Sequence, residues 1–185
     1  MSIIAGIDEV GRGSLAGPVV AAVVVSRDDI WMSELKDSKQ ISKSKRIEYN
    51  ELIKRNAMYY SLSYVNNKII DKINILQATL LAMRIAYKKL NIKVDQILID
   101  GIHAPTIKGD VKCIKSGDSK IKQISAASII AKVFRDQVME RYSRVFPYYG
   151  FENNSGYGTK FHINAIKEFG YCPIHRKSFI LKSVK

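Results

Sequence analysis

At 185 residues, 46% of them hydrophobic, the chain is long enough to bury one full core without disulfides, and we expect a globular monomer. Thirty Lys and Arg against 17 Asp and Glu give a formal charge of +13, which favours a polyanionic partner such as nucleic acid or a membrane surface. Two distant cysteines, Cys113 and Cys172, exclude a zinc cluster and a disulfide framework, and the longest aliphatic run, Val19 to Val25, is too short to span a bilayer. With no basic start and no A-x-A cleavage site at the N-terminus, the expected location is the cytoplasm.

In chain order, Ile3 to Val10 and Pro18 to Ser26 read as an antiparallel pair of strands joined by a Gly-rich turn, the second buried on both faces. Ser42 caps a helix that runs to about Asn56, and the Tyr-rich segment Met58 to Val65 reads as a third strand. Asn74 caps a second helix, whose apolar positions Ile75, Leu76, Leu80, Met83 and Tyr87 keep helical spacing and end near Asn91. Gln96 to Asp100 and Val111 to Lys115 are short strands, one ending in an acid and the other stopping just before Gly117-Asp118. The longest helix is expected from Ile121 to about Phe146, with Ala126, Ala127 and Ser128 permitting close approach to a neighbour. A loop from Asn153 to Thr159 leads into a helix from Lys160 to about Phe169, and a basic tail follows Pro173. The expected architecture is a single α/β domain with the tail packed on it.

Asp8, Glu9, Asp100 and Asp118 all fall at or just past predicted strand ends, where open α/β sheets place their sites. Two carboxylates ~5 Å apart at an effective dielectric near 20 repel by about 3 kcal/mol, so four ionised together require a cation. Oxygen-only ligation suits Mg²⁺ or Mn²⁺, and two such ions could activate water and stabilise the departing oxygen of a phosphodiester. Each acid has a plainer reading as well: Asp118 as a helix cap, and Asp100 as a turn residue with Gly101. Asp8 and Glu9 are neighbours on one strand and so point to opposite faces, unless the strand bends or ends near Gly11. Asp136, with Lys132 four residues before it and Glu140 four after, reads as part of a solvated helix face. His162 and His175 read as packed or surface histidines without a catalytic role.

Asp8-Glu9-Val10-Gly11-Arg12-Gly13, followed by Leu15-Ala16-Gly17-Pro18-Val19-Val20, resembles the opening signature of bacterial ribonuclease HII. Further blocks agree in order: Leu35-Lys36-Asp37-Ser38-Lys39, Asn74 to Thr79, Ile99-Asp100-Gly101, Gly117-Asp118-Ser119-Lys120, Ile124 to Val133, Gly156-Tyr157-Gly158-Thr159 and His175 to Phe179. Ser14 stands where the family often has Pro, and Gln40-Ile41 replaces a commoner Lys-Leu.

The resemblance implies an RNase H-like fold: a mixed five-stranded sheet flanked by helices, with residues 1–149 as the catalytic domain and 150–185 as a C-terminal helical extension that contacts substrate without being an independent domain. It implies a nuclease that cuts the RNA strand of RNA/DNA hybrids and nicks 5′ to ribonucleotides embedded in duplex DNA. The products would carry 3′-hydroxyl and 5′-phosphate ends. Asp8, Glu9, Asp100 and Asp118 would bind Mg²⁺ or Mn²⁺; Gly11, Arg12 and Gly13 would recognise the ribose 2′-hydroxyl, and Tyr157 would contact the sugar at the junction. Flanking glycines let a backbone approach a ribose closely, and Arg12 can hold a phosphate in bidentate fashion. Lys39, Lys43, Lys45, Arg46, Lys120 and Lys122 would hold the duplex backbone. A Gly-Arg-Gly turn alone is equally a hairpin, and the rival readings are a non-catalytic nucleic-acid-binding module and a metal-dependent nuclease with a different DNA substrate. No recruiting partner, such as a sliding clamp, is named by the residues.

Overall fold

The computed structural model describes residues 2–27, 30–32, 35 and 41–179. Five strands, β1 (Ile4–Val10), β2 (Val19–Ser26), β3 (Tyr59–Val65), β4 (Gln96–Asp100) and β5 (Val111–Ile114), make one sheet in the order β3-β2-β1-β4-β5. β1 pairs antiparallel with β2, as does β2 with β3, whereas β4 and β5 continue the sheet in parallel. This is the expected mixed five-stranded sheet.

Every residue of β2 is buried because both faces of the sheet are covered. Val19, Ala21, Val23 and Val25 meet one core with helix α3 (Ile75–Lys88), and Val20, Ala22 and Val24 meet the other with α1 (Lys43–Asn56) and α4 (Lys122–Val145). A fully buried Val contributes about 1.5–3 kcal/mol, so this unbroken Val/Ala run anchors both layers at once. Gly6 of β1 explains how close α4 lies: a Cβ there would stand 2.2 Å from the Gln123 carbonyl carbon.

Ser42 and Asn74 cap their helices as the sequence suggests, and Thr159 caps the helix that starts at Lys160, each side chain accepting an N–H of the first turn. α2 (Asn67–Ile73), capped by Asn66, precedes α3 and lies outside the elements expected from the sequence, as does a one-turn helix at Phe151–Asn154. The seven residues of α2 are too few for a helical period to stand out. α3 ends at Lys88, and Cys113 is exposed while Cys172 is buried, both as free thiols.

After α4 come a 3₁₀ turn (Pro147–Tyr149), a one-turn helix α5 (Phe151–Asn154) and α6 (Lys160–Phe169). Tyr149, Phe151, Ala165, Ile166, Cys172 and Ile174 pack with Ala16 and Met139 in a third cluster, which joins the tail to the β1–β2 connection. An isolated bridge pairs Ala16 with His175, and the Gly17 N–H donates to the Ile174 carbonyl at 2.9 Å.

Candidate active site

β1 is regular to its last residue, with Asp8 opposite Ala22 and Glu9 opposite Ala21. No bulge turns either acid. The two acids line one cleft because β1 pairs with β4 only through Ile7↔Ile99, so Glu9 lies beyond the paired stretch, at the open end of the sheet. Gly11 then leaves the strand at φ +93°, in the left-handed region that favours glycine.

Asp100 is the last residue of β4, and its Oδ1 accepts the Gly117 N–H at 2.6 Å. Gly117 opens a 3₁₀ turn (Gly117–Ser119) that holds Asp118 buried ahead of α4. Ile121 caps α4 without a side-chain bond, so Asp118 is not the helix cap.

A cleft of about 490 Å³ gathers Asp8, Glu9, Asp100 and Asp118 with Gly11, Arg12, Gly13 and Tyr157. All eight residues singled out in the sequence share it. Ser128, Lys132 and Arg46 complete its wall. Ser128 hydrogen-bonds the Asp8 carboxyl, a role concealed in a run of small residues that reads as helix packing.

Asp8 and Glu9 are under electrostatic strain. Burial, with repulsion from Glu9 and Asp100, pushes the Asp8 carboxyl well above the ordinary range. Burial also raises Glu9, although Arg12 donates to its Oε1 at 3.1 Å. The other oxygen, Glu9 Oε2, is buried with no hydrogen-bond partner among the described residues. Among the described residues no three His, Cys, Asp or Glu side chains are grouped so that they could hold a metal ion as they stand. The fit to a cation lies in the donors themselves: an orphaned carboxylate oxygen and a second carboxyl held against ionisation are both relieved by a hard divalent ion.

Tyr157 is 38% exposed at the cleft, its ring centroid 5.6 Å from the Arg135 guanidinium. Its loop rests on the β1–β2 connection: Leu15 N–H donates to the Gly156 carbonyl at 2.8 Å, and a Cβ on Gly156 would meet the Ala16 carbonyl oxygen.

Most of the cations assigned to the duplex backbone are engaged within the chain. Lys43 pairs with Glu140, Lys45 with Glu48, and Lys120 and Lys122 donate to the carbonyls of Lys115 and Leu35. Lys39 and the block around it, residues 36–40, lie outside the described residues. Asp136 is not a solvated surface acid: it is half-buried, takes Lys132 at 2.7 Å and Ser155 Oγ at 3.0 Å, and has Arg46 at 3.7 Å. His162 and His175 are fully buried and face each other.

The family model described as Ribonuclease HII matches residues 5–182. The chain belongs to the ribonuclease HII family. Similar curated relatives in this family are the ribonuclease HII proteins of Syntrophus aciditrophicus, 49% identical over 99% of this chain and 86% of that protein, and of Borrelia recurrentis, 50% identical over 97% and 99%. Among solved structures, the ribonuclease H2 of Pyrococcus horikoshii superposes with a TM-score of 0.81 at 28% identity, covering 96% of this chain and 93% of that one. The PCNA:RNase HII complex of Archaeoglobus fulgidus gives a TM-score of 0.80 at 26% identity, covering 99% and 98%. Membership of the ribonuclease HII family makes this chain a ribonuclease H with activity on RNA/DNA hybrids, on an RNase H-like fold. Among the described residues no helix is long and apolar enough to cross a membrane.

Proposed function

We propose that this ribonuclease H also nicks duplex DNA on the 5′ side of single embedded ribonucleotides, leaving 3′-hydroxyl and 5′-phosphate ends. The observation that carries this reading is the shared cleft, in which the four carboxylates, the Gly11-Arg12-Gly13 loop and Tyr157 meet. The 2′-hydroxyl, both donor and acceptor, is what separates RNA from DNA at one nucleotide. A reader covalently joined to Asp8 and Glu9 finds that hydroxyl and sets the distance to the cut.

Asp8, Glu9, Asp100 and Asp118 would hold Mg²⁺ or Mn²⁺, which when bound lowers the pKa of water and neutralises charge on a phosphodiester. Asp8 sits deepest, 4% exposed, and is steadied by Ser128. Glu9 offers its unpartnered Oε2. Arg12 serves two roles in turn: it balances Glu9 in the free protein, and once Glu9 is neutralised its fork is available to a substrate phosphate. Lys132, tied to Asp136, keeps a positive charge on the cleft wall near the backbone of the bound strand.

One assay tests the reading. A duplex with a single ribonucleotide, its all-DNA twin and a full hybrid are incubated with and without Mg²⁺ or Mn²⁺, and the products are mapped. The proposal expects metal-dependent cutting of the first and third only, with a 5′ phosphate downstream. Equal cutting of the all-DNA twin overturns the 2′-hydroxyl reading.

A further inference from the structure

Two arginines lie in the interior with no carboxylate within ion-pair distance among the described residues. Arg135 is 0% exposed and Arg176 1% exposed. A buried guanidinium costs several kcal/mol unless its donors are satisfied, and both are satisfied by main-chain carbonyls. Arg135 donates from Nε to Pro18, from one terminal nitrogen to Ser155 at 2.8 Å and from the other to Ala16 at 3.1 Å. Arg176 donates from Nε to Gly17 at 3.0 Å and from its terminal nitrogens to Arg12 at 2.9 Å and Gly11 at 2.7 Å.

The second set of bonds reaches the proposed ribose reader. A trans peptide is planar, with its C=O and N–H pointing opposite ways. Holding the Gly11 and Arg12 carbonyls inward therefore turns the N–H groups of Arg12 and Gly13 away from Arg176, on a loop that lines the cleft. Those two amides donate to no acceptor among the described residues. Successive free N–H groups of this kind form a concavity for an oxygen ligand.

Arg176 is itself held from behind. Asn67 Nδ2 of α2 donates to the carbonyls of Pro173 and His175, and Asp71, one turn later, accepts the N–H groups of Lys177 and Ser178 and the Ser178 hydroxyl. α2 thus grips the tail, and the tail grips the loop.

We propose that Arg176 is a positioning residue for ribose discrimination: it fixes the peptide planes of the Gly11-Arg12-Gly13 loop so that two main-chain N–H groups meet the 2′-oxygen. This rests on the assignment of that loop as the 2′-hydroxyl reader. Arg176 never touches substrate, and its planar fork is what spans three carbonyls. A lysine at this position keeps the charge and loses the span.

The test compares wild type with Arg176→Lys and Asp71→Asn, the latter loosening the grip on the tail away from the cleft. Each is assayed for kcat and KM on the single-ribonucleotide duplex, on the same duplex carrying a 2′-O-methyl group at that nucleotide, and on its all-DNA twin, with thermal unfolding followed in parallel. Mispositioned donors cost about 10- to 100-fold. Arg176→Lys is expected to lose roughly that factor in kcat on the ribonucleotide duplex, with KM little changed and residual cutting of the other two duplexes unaffected, and Asp71→Asn is expected to lose less in the same direction. If Arg176→Lys does not fold, Asp71→Asn decides by the same ratio. Unchanged discrimination, or an equal fall on all three substrates, overturns the positioning role while leaving the ribose reading intact. A wild type that cuts the 2′-O-methyl and all-DNA duplexes as fast as the ribonucleotide duplex removes that underlying reading instead.

Discussion

The Nε2 atoms of His162 and His175 stand 3.0 Å apart in the interior, and one arrangement of protons satisfies both rings. His162 Nδ1–H donates to the Tyr157 carbonyl, its Nε2 accepts from His175 Nε2–H, and His175 Nδ1 accepts the Cys172 N–H. The pair is neutral, and it ties α6 and the tail to the loop that carries Tyr157. Any added proton breaks one of these bonds. Burial lowers both rings, and His175, facing His162, falls to about 4.

Acid should therefore destabilise the protein through this pair. Below the unfolded-state pKa of about 6.5 the unfolded chain binds the proton that folded His175 refuses, so stability falls as pH drops from about 6.5 to about 4. The full effect is on the order of 3 kcal/mol. Denaturant midpoints across that range should show a shallower fall for His175→Gln than for wild type. Asp8 and Glu9, raised in the fold, titrate in the opposite sense but equally in both proteins, so the difference isolates the histidine.

Asp8→Asn should abolish metal-dependent cutting and raise thermal stability at neutral pH, because it removes a carboxyl whose ionisation is opposed by burial and by Glu9 and Asp100. Divalent ion at 100 times its dissociation constant should stabilise wild type by about 2.7 kcal/mol and Asp8→Asn by much less. Calorimetric scans with Mg²⁺ and with chelator check both. A destabilised, still active variant contradicts the assignment.

Gly6→Ala places a Cβ against the backbone of Gln123, where no side-chain rotation gives relief. The expected cost is roughly 1–3 kcal/mol, with loss of activity, because α4 carries Ser128 and Lys132 to the cleft. Urea unfolding measures the first effect, and hybrid cleavage the second.

The Ser14 hydroxyl is fully buried and has no hydrogen-bond partner among the described residues. Ser14→Ala should be neutral or stabilising by up to about 1 kcal/mol, with hybrid cleavage unchanged. A loss above that size would reveal a partner for the hydroxyl.

Tyr157→Ala should slow cutting of the single-ribonucleotide duplex more than that of the hybrid, because one junction depends on each sugar contact while a hybrid offers many. Parallel time courses on the two substrates read the ratio. A uniform loss assigns Tyr157 to holding the loop on Arg135 instead.

The local pattern of residues by itself determined where the strands and long helices lie and which acids stand at strand ends. Alternation, caps such as Ser42 and Asn74, and the Val/Ala run of β2 are short-range signals, and the blocks around Asp8, Asp100, Asp118 and Tyr157 carry the family likeness. Tertiary structure alone decided how Asp8 and Glu9 come to share a cleft, since the answer is that the β1–β4 pairing stops at Ile7 and Ile99, and not a bulge in β1. It alone assigned Arg135, Arg176 and the His162–His175 pair, because their partners are carbonyls and rings many residues away and a main-chain acceptor leaves no mark in a sequence. α2 leaves little mark in the sequence for a related reason: what it contributes is a grip on residues 173–178, more than a hundred positions downstream.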